Sequence, residues 1–201
     1  MKTQKFLFTA LLAIFFSFSL SAQYEIGDKV KDFKLKNTDG EYISLSDYKD
    51  AEGFIVVFTC NTCPFAKKYE QRIIELDKKY AKKGYPVVAL NPNCVNKKPG
   101  DSMESMKERS SDKGYTFAYL RDDGQKVAKK FGAERTPEIF LLDKKSDGLY
   151  LVYTGTIDNN VDNPSKADEH YVQDAVESLM TGKDIAQAKT NAIGCTIKWS
   201  E

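Results

Sequence analysis

The stretch FIVVFTCNTCPF, residues 54–65, decides how this chain folds. Its first five residues form a continuous apolar run of strand length, which is typical of a strand buried on both faces of a sheet. Apolar residues then recur every three or four positions, which is the period of an amphipathic helix: Phe65, Tyr69, Ile73, Leu76 and Tyr80. Two cysteines, Cys60 and Cys63, therefore lie where a buried strand passes into a helix.

The remaining chain continues this alternation of strands and helices. Strands are predicted at residues 86–90, 116–120, 139–142 and 151–153, and a β-hairpin around residues 37–40 precedes them all. Asp101 and Glu104 have capping-box spacing and predict the start of the second helix. Two more helices are predicted from their apolar faces: Val127, Ala128 and Phe131, then Val172, Ala175, Val176 and Leu179. This order predicts one α/β domain, residues 23–201, with a central mixed sheet flanked by helices and an N-terminal hairpin.

Composition excludes several classes of protein. The 201 residues include 30 Lys+Arg and 29 Asp+Glu, for a net charge of +1. Such a balance argues against nucleic acid as a partner, because binding to phosphates needs a surplus of positive charge. Four cysteines are too few for a disulfide scaffold, but they are enough for a redox or metal site.

The first 22 residues are predicted to be a secretory signal peptide. Lys2 and Lys5 precede an apolar run over residues 6–20, and small residues lead to a cleavage site after Ala22. The alternative, an uncleaved membrane anchor, is less favoured because the run is shorter than the roughly 20 apolar residues that span a bilayer. We therefore expect an exported protein of the periplasm or cell envelope, without stable membrane insertion after processing. Disulfides persist in such a compartment.

The placement of Cys60 and Cys63 favours redox chemistry. The N-terminus of a helix carries unpaired N–H groups and a partial positive charge, which stabilise a thiolate. Cys60 is expected to be the more exposed sulfur and to attack the disulfide of a partner, and Cys63 to resolve the mixed disulfide. An inert structural bridge between the two cysteines is the less favoured alternative.

Three segments resemble the thioredoxin superfamily, and most closely the redoxins of the alkyl hydroperoxide reductase and thiol-specific antioxidant family. They are residues 58–65, residues 135–143 and the ending GCTIKW at residues 194–199. The resemblance implies a thioredoxin-like fold and a cis-proline that faces the cysteine pair and receives the substrate backbone. Pro137 matches that proline by position, and Thr136 would lie beside the substrate. An ordinary trans turn is the alternative, because cis X–Pro bonds are uncommon.

Departures from the family pattern narrow the expected activity. Peroxidatic redoxins place a threonine or serine and a proline ahead of the reactive cysteine, where this chain has Val57 and Gly53. Direct peroxidase activity is therefore doubtful, and a thiol-dependent peroxidase is kept as an alternative. Thioredoxins keep a buried aspartate where this chain has Phe54. Another proton acceptor is then needed, and Glu138 is the candidate; the alternative is a carboxylate that points to solvent.

The other two cysteines have open roles. Cys94 follows the strand at residues 86–90 and should emerge at the sheet edge that carries the cysteine pair. Cys195 lies in the apolar C-terminal stretch. Three alternatives stay open: a structural Cys94–Cys195 disulfide, Cys94 as a relay thiol that exchanges with the pair, or two buried free thiols.

Metal binding is the main alternative from another class of function. A Cu(I)-binding metallochaperone with a thioredoxin-like fold would use thiolates, which suit Cu(I), and a distant histidine. The single histidine, His170, is predicted to lie on the polar side of the last helix and to be solvated. We therefore predict no metal and no cofactor.

These observations predict an exported thiol–disulfide oxidoreductase. The hypothesis includes an antioxidant role for the protein. Its expected partners are protein disulfides or dithiols and an electron donor or acceptor of the cell envelope. Asn61 and Thr62 do not indicate the direction of electron flow, because that depends on the redox potential.

Overall fold

The computed structural model of this chain describes residues 23–200. The predicted signal peptide, residues 1–22, lies outside the described residues. The strands are β1 (Lys29–Val30), β2 (Lys34–Asn37), β3 (Tyr42–Ser44), β4 (Gly53–Phe58), β5 (Val87–Asn91), β6 (Ala118–Arg121), β7 (Arg135–Thr136), β8 (Glu138–Lys145), β9 (Gly148–Gly155) and β10 (Cys195–Thr196). The α-helices are α1 (Pro64–Tyr80), α2 (Met103–Lys113), α3 (Lys126–Phe131) and α4 (Tyr171–Met180).

Eight strands form a sheet in the order β1-β9-β8-β4-β5-β6-β2-β3. The sheet is mixed, as predicted from the sequence. The central strands β4, β5 and β6 are parallel, and β8 joins β4 in antiparallel register. Strands β7 and β10 form a separate two-stranded sheet. The carboxyl ends of β4 and β5 therefore meet at one edge, where ligands gather in α/β sheets.

Strand β4 is apolar throughout because both faces of the sheet are covered. Ile55 and Val57 pack into the core under α1 and α4. Phe54, Val56 and Phe58 point to the opposite core, together with α3 and the C-terminal Ile197 and Trp199. Successive side chains of a strand point to opposite faces, so one run of apolar residues serves both cores.

Helix α1 starts directly after the cysteine pair and packs its predicted face on the sheet. Pro64 occupies its first position, where a missing N–H costs little. Tyr69, Ile73 and Tyr80 are among its buried residues. A 3-10 turn, Ala81–Lys83, continues the helix, and Gly84 ends it in the left-handed region with φ of 88°.

The predicted hairpin is confirmed, and several short elements were missed. Strands β2 and β3 pair in antiparallel register, and β2 attaches the hairpin to β6. Strands β1, β7 and β10 have two residues each, too few to show a period. The predicted cap of α2 is wrong: Ser102 is its N-cap and accepts the Ser105 N–H at 3.2 Å, whereas Asp101 turns toward the cysteine pair.

No helix within residues 23–200 is both long enough and apolar enough to cross a bilayer.

Candidate active site

Cys60 and Cys63 lie between the end of β4 and the start of α1, as the sequence predicts. The Thr59 N–H still donates to the Leu90 carbonyl at 2.8 Å, so Cys60 is the first residue after the β4–β5 pairing ends. Cys63 is the N-cap of α1, one position before its first turn. Exposure does not distinguish the two cysteines, because both residues are buried, at 4% for Cys60 and 3% for Cys63, so the prediction that Cys60 attacks first stays a prediction.

Thr136 brings the two sulfurs and the Thr136–Pro137 bond into one site. Its hydroxyl Oγ1 lies 3.2 Å from Cys60 Sγ, and the Cys63 thiol donates to its carbonyl oxygen at 3.1 Å. The Thr136–Pro137 peptide bond is cis, which is the isomer that the resemblance implied. The sequence-predicted residues Cys60, Cys63, Thr136 and Pro137 therefore lie together, while the substrate-binding role of Thr136 and Pro137 stays a prediction.

The two thiols titrate as a pair, with the negative charge favoured on Cys63. The hydrogen bond from Cys60 is the main cause that lowers the pKa of Cys63; the Cys195 thiol and the Ala66 N–H act in the same direction. The same hydrogen bond is the main cause that raises the pKa of Cys60, followed by burial and by the charge of Asp101. The Thr136 carbonyl accepts a hydrogen bond from the Cys63 thiol and therefore favours the protonated form. Several donors favour the thiolate of Cys63, and together they outweigh this single acceptor.

Asp101 is a site residue that the sequence reasoning missed. It is fully buried, and it accepts hydrogen bonds from the Asn61 N–H at 2.7 Å and the Thr62 hydroxyl at 2.8 Å. Asn91 and Asn93, at the end of β5, donate to it at 3.3 and 2.9 Å. Asp101 thus fixes the two residues between the cysteines. Asn91 and Asn93, at and just after the end of a buried strand, are the signal that could have indicated a polar partner at this edge, although they do not identify Asp101 as that partner.

Glu138, the predicted proton acceptor, lies directly after Pro137 but serves the backbone of a turn. Its carboxylate accepts the N–H groups of Glu134 and Arg135 at 2.8 and 3.0 Å. Burial raises its pKa, and these two hydrogen bonds oppose that shift. Its proton-transfer role stays a prediction that this geometry does not favour, since Asp101 is the carboxylate that bonds the loop of the cysteine pair.

Cys94 and Cys195 lie in different surroundings. Both are free thiols in this structure, like Cys60 and Cys63, and the Cys94–Cys195 disulfide stays one of the three alternatives. The backbone N–H of Cys94 donates to the Lys198 carbonyl at 2.8 Å. Cys195 instead packs against the cluster formed by Cys60, Cys63 and Ala66, and burial, followed by the proximity of Cys63, raises the pKa of its thiol. The site therefore holds three cysteines rather than the two that the sequence predicted.

His170, the histidine that the copper alternative would need, lies away from the cysteine pair. His170 directly precedes α4 and lines a surface pocket with Lys79 and Gln173. Within residues 23–200, no group of three or more His, Cys, Asp or Glu side chains is arranged to hold a metal ion.

Comparison with known proteins identifies a matching family and several relatives that are redox proteins. The sequence pattern of the AhpC/TSA family matches residues 26–147. The thiol-disulfide oxidoreductase ResA of Bacillus cereus is 25% identical over 155 residues, which cover 72% of this chain and 85% of that protein. Peroxiredoxin Q of Sedum lineare, a chloroplast protein, is 28% identical, over 74% of this chain and 76% of its own.

The solved structures that are similar to this one include the following two. A hypothetical protein from Sinorhizobium meliloti superposes with a TM-score of 0.79 at 32% identity, covering 89% of this chain and 97% of its own. An exposed lipoprotein thioredoxin from Streptococcus pneumoniae superposes with a TM-score of 0.54 at 22% identity, covering 76% and 99%. The second similarity shows that the fold is thioredoxin-like.

Proposed function

The chain belongs to the AhpC/TSA family of redoxins, and on that premise we propose that it is an exported thiol–disulfide oxidoreductase whose redox pair is Cys60 and Cys63. The observation that carries the proposal is the contact of both sulfurs with Thr136, next to the cis bond to Pro137. A pair of thiols on a buried strand-to-helix junction exchanges with a disulfide without unfolding either element. The similarity to ResA supports this reaction class.

The proposed reaction is thiol–disulfide exchange in two steps. A thiolate of the pair attacks one sulfur of a partner disulfide, so that a mixed disulfide forms and the second partner sulfur leaves as a thiolate. The other cysteine of the pair then attacks the mixed disulfide. The Cys60–Cys63 bond forms, and the partner leaves as a dithiol. In this reducing direction two electrons move from the pair to the partner, and a dithiol donor of the cell envelope restores the pair. In the oxidising direction the same steps run in reverse, and an electron acceptor of the cell envelope restores the disulfide.

Catalysed reduction of insulin by dithiothreitol tests the proposal. The protein should accelerate the reaction, and both Cys60→Ser and Cys63→Ser should reduce the rate to that of dithiothreitol alone. Cys94→Ser is the matched control and should retain the wild-type rate, because the Cys94 contact is made by its backbone. Wild-type turnover in Cys60→Ser would refute the proposal.

Capture of partners tests the substrate class and the order of attack. A variant that lacks the resolving cysteine accumulates the mixed disulfide. If Cys60 attacks first, as the sequence predicts, then Cys63→Ser captures envelope proteins. If the negative charge on Cys63 makes Cys63 the attacking sulfur instead, then Cys60→Ser captures the envelope proteins.

Export is a separate proposal, and it rests on residues 1–22. An intact mass that corresponds to a chain starting at Gln23 would support it.

A peroxidase is the second candidate, because peroxiredoxin Q is among the relatives. Two features weigh against it. Val57 and Gly53 stand where peroxidatic redoxins have polar or proline residues, and both are buried in β4. Consumption of hydrogen peroxide with a thiol donor would decide in its favour.

A further inference from the structure

The C-terminal segment lies against the cysteine pair and is held there by its backbone. Strand β10 pairs with β7 in antiparallel register, with Cys195 opposite Thr136 and Thr196 opposite Arg135. The Ile197 N–H donates to the Glu134 carbonyl at 2.9 Å. These bonds position Cys195 beside the residue that contacts both sulfurs of the pair.

Gly194 makes this approach possible. A Cβ atom at Gly194 would collide with the Thr136 carbonyl oxygen, because it would lie closer than any side chain tolerates. The Arg135 guanidinium holds the same residue by donating to the Gly194 carbonyl at 3.0 Å. The backbone of residues 194–196 therefore lies along Thr136, where the resemblance to thioredoxins predicts the backbone of a substrate.

We propose that Cys195 is a third redox thiol of this site, which β10 presents to Cys63 in the manner of an internal substrate. The proposal rests on the proposed function of Cys60 and Cys63 and adds a second disulfide partner for Cys63. Contact and register carry it: Cys195 packs against the cluster formed by Cys60, Cys63 and Ala66, and it pairs with Thr136, which contacts both sulfurs of the pair.

The reaction is an internal exchange that needs no oxidant. In the oxidised pair, the Cys195 thiolate attacks Cys63 Sγ. The Cys63–Cys195 bond forms, the Cys60–Cys63 bond breaks, and Cys60 leaves with the bonding electron pair. The Thr136 hydroxyl, 3.2 Å from Cys60 Sγ in this structure, is placed to donate to the departing thiolate. The proton lost by Cys195 returns to Cys60, so atoms and electrons balance.

Oxidation of the pair prepares Cys195 for this attack. In the reduced site, burial raises the pKa of Cys195 to about 11, and the hydrogen bond and charge of Cys63 add to the rise. A Cys60–Cys63 disulfide removes the charge of Cys63, while Lys198 and Lys98 continue to lower the pKa. Cys195 is therefore more acidic when the pair is oxidised, which is when the exchange requires its thiolate.

Disulfide mapping of Cys60→Ser tests the proposal directly. The variant is oxidised with diamide at low protein concentration and digested with trypsin without reduction. Cys63 lies in the peptide of residues 50–67, Cys195 in residues 190–198 and Cys94 in residues 84–97. The expected product is the first peptide joined to the second, with the mass of both less two hydrogen atoms.

Two double variants serve as controls for the mapping. Cys60→Ser with Cys94→Ser should retain the cross-link, and Cys60→Ser with Cys195→Ala should lose it. If Cys63 pairs with Cys94, or if Cys63 and Cys195 are both alkylated after oxidation, the proposal is overturned. Insulin reduction by the wild type distinguishes failure of this proposal from failure of the proposed function. If the Cys63–Cys195 cross-link is missing but the wild type still catalyses insulin reduction, only the role of Cys195 as a third redox thiol is refuted.

Discussion

Thr136 contacts both sulfurs of the pair through two different groups, a hydroxyl and a carbonyl. The hydroxyl stabilises a thiolate on Cys60, and the carbonyl favours a protonated Cys63. Asp101 acts on the other side by raising the pKa of Cys60. The charge of the reduced pair is thus set by a few neighbours rather than by the helix terminus alone.

The pH dependence of the thiolate follows from these neighbours. Because the pKa of Cys63 is lowered, the reduced protein should keep one thiolate well below pH 8.5, roughly the ordinary pKa of a cysteine thiol. On acidification, the Cys63 thiolate should take up its proton at a lower pH than an ordinary cysteine thiolate does. In Cys63→Ser the acidic thiolate should disappear, because burial and Asp101 still raise the pKa of Cys60. The ultraviolet absorbance of thiolates, recorded against pH, measures both states.

Cys94→Ser is the control for this titration and should titrate like the wild type. An acidic thiolate that survives in Cys63→Ser and is lost in Cys60→Ser would place the charge on Cys60 instead, as the sequence alone suggested.

The sequence predicted the long elements and the cysteine pair, because their signals are local. A run such as residues 54–58 has strand length and composition, and α1 shows its period over seventeen residues. Cys195 and Asp101 could not be placed, since their neighbours are distant in the chain. Asp101 matched a capping pattern by spacing, but four hydrogen-bond donors, three of them buried, outweighed that local preference.

Strand β10 is the element that covers the site, and Gly194→Ala tests how it does so. The added Cβ would collide with the Thr136 carbonyl, so β10 must move away from β7. We expect faster alkylation of Cys195 by N-ethylmaleimide in the reduced protein, measured by mass spectrometry. The matched control is Gly124→Ala, whose Cβ would meet only the Lys126 side chain at 3.6 Å. Equal rates in both variants would show that the close approach of Gly194 does not hold β10.

The whole molecule is joined by an aromatic cluster on one face of the sheet. Phe131 contacts the rings of Tyr24, Phe33, Phe58 and Phe140 at centroid distances of 5.3 to 6.2 Å. These rings come from the N-terminal segment, β4 and β8. One side chain of α3 thereby connects three distant parts of the chain.

Phe131→Ala should therefore destabilise the entire fold. Removal of a buried phenyl ring costs about 3–5 kcal/mol, and the loss should appear as a lower urea midpoint of a single transition. Tyr42→Ala, at a side chain that is 60% exposed, is the control and should change stability by less than about 0.5 kcal/mol. Two separate transitions in Phe131→Ala would show that the N-terminal segment unfolds independently.

The buried side chain of Gln125 anchors the backbone of the C-terminal segment through two hydrogen bonds. Its amide donates to the Lys198 carbonyl at 2.9 Å, and its carbonyl accepts the Ser200 N–H at 2.7 Å. A load applied at Ser200 would meet these two bonds first, then the hydrogen bonds of Lys198 with Cys94 and Asn93, and then the two residue pairs of β10. The pairing of β4 with β8 spans six residues and lies outside that path. We therefore expect tension on the chain end to draw Cys195 away from the cysteine pair before it disturbs the main sheet.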